Sequence, residues 1–157
     1  MDKQIIILSG GKGEGKTTAI ANYIRHSSHQ WGGVLMPIMD GKRCMVHLFS
    51  QKVIKLEPDE SNISDHIQVG RNTFSRRAFE DMNELIVADL RHNNNIIIDE
   101  IGPMEMNDEG FHPIIKTVID TAENIFLIVR TSLVDEVVAK YRLSRFSLQV
   151  IDVQDFV

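Results

Sequence analysis

The sequence predicts an α/β fold, with a mainly parallel sheet and helices on both faces. Three observations predict it. Strand-like and helix-like stretches alternate along the chain, as they do where crossover helices join parallel strands. Two runs, Ile96-Ile97-Ile98 and Ile125-Phe126-Leu127-Ile128-Val129, are apolar at every position, as strands buried on both faces are. A glycine-rich stretch over residues 10–18 joins a short apolar run to a helical one, giving a strand–loop–helix unit.

The elements follow in order. Residues 3–9 form the first strand, carried by Ile5, Ile6, Ile7 and Leu8, and residues 16–28 the first helix. Gly32-Gly33 is a turn signal. Residues 34–39 are the next apolar run, Asp40-Gly41 a hairpin turn, residues 43–49 its partner strand and residues 52–56 a third. Residues 33–57 thus read as a small antiparallel β-meander beside the main sheet. A polar surface loop, residues 57–62, is the expected mobile segment. Residues 66–69 suggest a short strand. Ser75 then caps a helix over 76–91, where Phe79, Met82, Leu85, Ile86 and Leu90 recur at helical spacing and make a core stripe. Residues 96–99 are a buried strand and 110–122 a helix, in which Pro113 must fall in the first turn. Residues 125–129, 133–140 and 147–151 complete the pattern as strand, helix and strand.

Size and composition narrow the class. A chain of 157 residues suits one domain spanning 1–157 and can bury a proper core. A formal charge of −5, with no basic stripe, argues against a general nucleic-acid binder. Cys44 is the single cysteine, so neither an internal disulfide nor a cysteine zinc cluster is expected, which suits a reducing compartment. No signal peptide precedes the first strand and no apolar run approaches membrane-span length. The expectation is a cytoplasmic protein with no membrane partner.

Chemistry enters with Gly10-Gly11-Lys12-Gly13-Glu14-Gly15-Lys16-Thr17-Thr18. It fits the phosphate-binding pattern G-x-x-x-x-G-K-[ST], with Gly10, Gly15, Lys16 and Thr17 at the fixed places. Glycines let successive N–H groups turn inward onto phosphate oxygens, and the following helix adds its N-terminal N–H groups and positive dipole end. Lys16 supplies charge for the β- and γ-phosphates, and the Thr17 hydroxyl suits Mg²⁺. The variant loop of the partitioning ATPases sets its two lysines five positions apart; here Lys12 and Lys16 are four apart. Lys12 is therefore expected at the surface beside the loop, with or without a phosphate contact. Glu14 must point to solvent.

The second motif ends the Ile96-Ile97-Ile98 run. Asp99 can hold Mg²⁺ opposite Thr17, and Glu100, at the carboxyl end of its strand, is placed to polarise a water against the γ-phosphate.

Asp99-Glu100-Ile101-Gly102-Pro103-Met104-Glu105 resembles the Asp-Glu-Ile-Gly-x-Met-Glu signature of the small THEP-type nucleoside-triphosphatases. Gly33-Val34 with the hairpin at Asp40-Gly41, Val69-Gly70-Arg71-Asn72-Thr73-Phe74 leading to Phe79-Glu80, and Val134-Asp135-Glu136-Val137 are similar to further family segments. The resemblance implies a RecA-like P-loop fold with a third core strand between those of the two motifs. It also implies slow Mg²⁺-dependent hydrolysis of several nucleoside triphosphates, ATP and GTP among them. The chain departs from the family at Gly11, Lys12 and Glu14, where the loop usually carries proline or apolar residues, and at residues 35–39, where a Tyr-Thr-Glu-Glu-like run is usual.

Other positions keep two readings. Glu105 is a helper of Mg²⁺ or Glu100, or a surface glutamate. Arg130, at the end of the strand that follows the Asp99 strand, is a γ-phosphate sensor or an exposed arginine. Arg71, Arg76 and Arg77 are lid or intersubunit fingers, or solvated. Trp31 stacks on a base or joins the core. The expected catalytic set is Lys16, Glu100 and Arg130, with Thr17 and Asp99 as metal ligands. Two alternatives stay open: a small-molecule kinase resembling adenosylcobinamide kinase, and a nucleotide-dependent switch resembling the molybdopterin-guanine dinucleotide biosynthesis protein B.

Overall fold

The computed structural model describes residues 3–156; residues 1, 2 and 157, which the single-domain expectation includes, lie outside the described residues. The elements are β1 (Gln4–Gly10), α1 (Lys16–His26), β2 (Gly32–Leu35), β3 (Ile38–Met39), β4 (Lys42–His47), β5 (Val53–Lys55), β6 (His66–Val69), β7 (Asn72–Ser75), α2 (Arg76–Asp89), β8 (Asn95–Ile101), α3 (Pro103–Met106), α4 (His112–Thr121), β9 (Asn124–Arg130), α5 (Val134–Lys140) and β10 (Ser147–Asp152).

The parallel part of the sheet runs β10-β1-β9-β8-β2. β9 lies between the strands of the two motifs, where the resemblance puts a third core strand. Side chains alternate across these strands. Ile5, Ile7, Ile96, Ile98, Ile125, Leu127 and Val129 pack into one cluster with Phe79, Met82 and Ile86 of α2, Ile115 and Val118 of α4 and Val137 of α5. Leu8, Ile97, Phe126 and Ile128 face the other way, against Ile20 of α1 and Trp31, with Tyr23 and Phe156 alongside. This two-sided burial explains why Ile96-Ile97-Ile98 lacks any polar alternation. Each such side chain contributes about 1.5–3 kcal/mol by leaving water.

Local signals set the helices. The Ser75 hydroxyl accepts the Ala78 N–H at 3.1 Å and caps α2. Phe79, Met82 and Ile86 form the buried stripe, while Leu85 and Leu90 sit partly buried beside it. Pro113 occupies the first turn of α4, where a missing N–H costs nothing.

The meander grows out of the main sheet rather than standing beside it. β2 pairs parallel with β8 along one edge and antiparallel with β4 along the other. β3 continues the same hairpin arm: Leu35 faces Val46, Ile38 faces Arg43 and Met39 faces Lys42. Asp40 and Gly41 have φ of 52° and 77°, the type I′ geometry that a two-residue hairpin turn needs. β5 adds to the free side of β4. Gly33 makes the junction possible. Its φ is 102°, and a Cβ there would overlap the Ile97 carbonyl of β8.

One buried triangle ties this junction to α2. Asp89 Oδ2 accepts the Gly33 N–H at 2.9 Å and lies 2.9 Å from His47 Nε2, whose Nδ1 is 2.7 Å from Ser50 Oγ. His47 and Asp89 are buried. The region before α2 holds more order than its sequence suggests. Residues 72–75 form β7 and pair back onto β6. The Asp65 carboxylate accepts the Asp59 and Arg77 N–H groups at 2.8 and 2.9 Å, tying the polar loop of residues 57–62 to the first turn of α2. Those N–H groups hold the Asp65 carboxyl below its ordinary range.

Candidate functional site

The glycine-rich loop leaves β1 at Gly10 and enters α1 at Gly15. Gly15 has φ of 84°, a left-handed conformation that L side chains rarely adopt, and serves as the N-cap without a side-chain bond to the first turn. The first-turn N–H groups therefore face the loop uncapped by any side chain, an arrangement suited to an anion. Lys12, Gly13, Glu14 and Thr18 are exposed, while Lys16 is buried and Thr17 half-buried. Glu14 sits over Gly11 at the outer side of the loop, and its N–H donates to the Gly11 carbonyl at 3.2 Å. Lys16 Nζ turns back to donate to that carbonyl at 2.9 Å.

The carboxyl end of β8 meets the loop directly. Thr17 Oγ1 donates to Asp99 Oδ2 at 2.7 Å, and the Met36 N–H donates to the same oxygen at 3.1 Å. Asp99 is wholly buried, and its Oδ1 makes no hydrogen bond. Burial pushes its carboxyl up to about 6. The Met36 and Thr17 donors pull it down, and neighbouring Glu100 pushes it further up. A hard divalent cation fits this pair: Thr17 Oγ1 and Asp99 supply oxygen donors, and Asp99 Oδ1 is a buried acceptor with nothing to accept.

Glu100 is the residue at which β8 slips in register against β9. Asp99 faces Ile128 and Ile101 faces Val129, leaving Glu100 without a partner. Such an irregularity redirects a side chain. Its carboxylate is reached by three cations: Lys16 Nζ lies 3.6 Å from Oε2, and Arg130 Nη2 and Arg43 Nη1 lie 3.8 and 3.9 Å from Oε1. Arg130 closes β9, and its Nε is buried without a hydrogen-bond partner.

Glu105 is not at the surface. It is 2 % exposed, its Oε1 accepts the Gly102 N–H at 2.7 Å and its Oε2 accepts the Phe111 N–H at 3.0 Å. It therefore clasps the turn that follows Glu100. Trp31 belongs to the core, with its Nε1 donating to Ser27 Oγ at 3.1 Å. Arg76 sits 3.6 Å from Glu109 and Arg77 4.0 Å from Asp81, while Arg71 is exposed. Among the described residues, the cations within 4 Å of Glu100 are Lys16, Arg43 and Arg130. Arg43 and the Met36 N–H are the site groups that sequence reasoning missed. The Asp40-Gly41 turn sets Arg43 opposite Ile38, but only the joining of β2 to β8 brings that hairpin to Glu100.

A strand–loop–helix phosphate loop, an acidic strand end facing it and one strand between them define a P-loop fold of the RecA-like kind. The chain belongs to the NTPase family, whose sequence model matches residues 5–155. Among solved structures it is similar to THEP1 from the hyperthermophile Aquifex aeolicus, with TM-score 0.70 and 21 % identity over 96 % of this chain and 89 % of that one. It is also similar to a human cancer-related nucleoside triphosphatase, with TM-score 0.66 and 21 % identity over 96 % of this chain and 88 % of that one. At that identity the two likenesses speak to the fold. No curated protein matches. Membership of the family supports hydrolysis of nucleoside triphosphates in general terms. No helix among the described residues is long and apolar enough to cross a membrane.

Proposed function

We propose that this protein is a Mg²⁺-dependent nucleoside-triphosphate hydrolase with slow turnover and little discrimination among bases. The observation that carries the reading is the meeting of loop and strand end: Thr17 with Asp99 at 2.7 Å and Lys16 with Glu100 at 3.6 Å. The backbone of residues 10–18 cradles the phosphates, and Lys16 balances β- and γ-phosphate charge. Thr17 and Asp99 would hold the metal, which when bound draws charge from the phosphate oxygens. Glu100 orients and polarises the attacking water as general base. Arg130 stabilises charge on the γ-phosphate in cis. The gathered groups address phosphate, metal and water, which is the basis for expecting weak base preference. Cys44 is a buried free thiol, which suits the reducing cytoplasm.

The test is steady-state phosphate release from ATP, GTP, CTP and UTP with Mg²⁺, for wild type, Lys16→Ala and Glu100→Gln. Wild type should hydrolyse all four. Lys16→Ala should lose turnover largely through weaker binding, and Glu100→Gln should bind nucleotide and stall. Nucleotide binding without phosphate release by the wild type would overturn the reading and move the search to a phosphate acceptor other than water.

A further inference from the structure

The hairpin built on β2, β3 and β4 sends one cation into the site. We infer that Arg43 is a second catalytic arginine, contacting the γ-phosphate from the wall opposite Arg130. This rests on the hydrolase reading above and names a residue of that same site.

Three features of the structure carry it. First, position: Arg43 Nη1 and Arg130 Nη2 approach the same oxygen, Glu100 Oε1, at 3.9 and 3.8 Å. They arrive from different strands, β4 and β9, on either side of β8 and β2 in the sheet. On the hydrolase reading Glu100 holds the attacking water, so a guanidinium 3.9 Å from its Oε1 lies beside the place where that water would meet the phosphate. Second, availability: among the described residues the other neighbour its guanidinium donates to is Met36 Sδ at 3.9 Å, a weak acceptor. Its side chain is 35 % exposed, so it is neither locked in the core nor free in solvent. Third, attachment: the hairpin carrying Arg43 is fastened to the metal-holding strand at Met36, whose N–H donates to Asp99 Oδ2 at 3.1 Å. The same segment thus positions Asp99 and delivers Arg43.

Arginine suits the role through its planar fork, which spreads positive charge over two phosphate oxygens as the transferring group loosens. The negative charge that builds on the equatorial oxygens is stabilised more than the ground state is, so the contribution falls on kcat.

The experiment compares Arg43→Ala, Arg43→Met and Arg43→Lys with wild type, using ATP turnover, ADP affinity and thermal unfolding. Arg43→Met keeps the aliphatic stem and guards against loss of packing on Met36. The expected result is a fall in kcat of about 100-fold in all three, the scale seen when one preorganised transition-state donor is removed. ADP affinity and unfolding temperature should stay at wild-type values, and millimolar guanidinium should restore part of the Arg43→Ala rate. Wild-type kcat in Arg43→Met would overturn the inference. So would a loss of rate that tracks lost ADP affinity and earlier unfolding, which marks a structural residue. Wild type and Glu100→Gln separate the two ideas: if Glu100→Gln stalls while Arg43→Met turns over normally, only the arginine assignment falls, and if the wild type binds ATP but releases no phosphate the hydrolytic reading falls and takes Arg43 with it.

Discussion

Glu105 allows a stability measurement to test the local geometry behind the acidic strand end. Burial pushes its carboxyl from the ordinary 4.5 up to about 7, against the pull of the Phe111 and Gly102 N–H groups. The folded protein therefore holds a proton there that the unfolded chain releases. Where the native state binds the extra proton, stability falls as pH rises. The stabilisation is complete below about pH 4.5 and is lost as pH climbs through about 7. Integrated between pH 5 and pH 8, this group alone lowers stability by about 2–3 kcal/mol. Glu105→Gln removes the titration and also loses one acceptor, since its amide nitrogen must face an N–H. That substitution should cost about 1–3 kcal/mol at neutral pH. The quantity to follow is the wild-type minus Glu105→Gln difference from urea unfolding at pH 5, 6, 7 and 8, in which every other carboxylate cancels. It should shrink by about 2–3 kcal/mol from pH 5 to pH 8. A difference that is flat, or that grows with pH, would refute the buried-proton account and imply a carboxylate held ionised by its two backbone donors.

Two further perturbations probe the junction between hairpin and sheet. Gly33→Ala should destabilise by about 3 kcal/mol or more and lower Tm by about 6–12 °C, because φ of 102° and the Ile97 carbonyl both oppose a Cβ; calorimetry reads it directly. His47→Ala leaves the Asp89 carboxylate buried with one partner fewer and should cost about 3–5 kcal/mol in urea unfolding, with His47→Gln recovering part of the loss.

The alternation of elements, the two all-apolar strands and the phosphate loop were legible because each is a local pattern. Ser75 and Pro113 announced their helix starts through side chains that act within one turn. The Asp40-Gly41 turn was equally local. What stayed hidden depends on pairing between distant segments. Nothing in residues 32–35 announces that the first arm of the meander is also the fifth parallel strand; the fit of Gly33 against Ile97 makes that join. Arg43 was invisible for the same reason. Glu105 was placed in the right motif, yet its partners are backbone N–H groups of Gly102 and Phe111, which leave no mark in the residue pattern. β7 was missed because Asn72-Thr73-Phe74-Ser75 is short and earns its strand conformation from pairing with β6.

The order of the sheet has a consequence for how the chain is made. Among the described residues β1 pairs with β9 and β10 alone, so Gln4 waits for Asn124 and Ser147. The two halves of the proposed nucleotide site stand on either flank of β9, the glycine-rich loop on one side and Asp99 on the other. A ribosome that has delivered residues 1–100 has delivered most of the chemistry and none of the strand that joins it. Until β9 emerges, Ile5-Ile6-Ile7-Leu8 and Ile96-Ile97-Ile98 are apolar strands with open edges, the kind of nascent surface that chaperones cover. Competence to bind nucleotide is thus expected late in synthesis, and a ribosome stalled before residue 124 would carry a glycine-rich loop with no strand to hold it against Asp99.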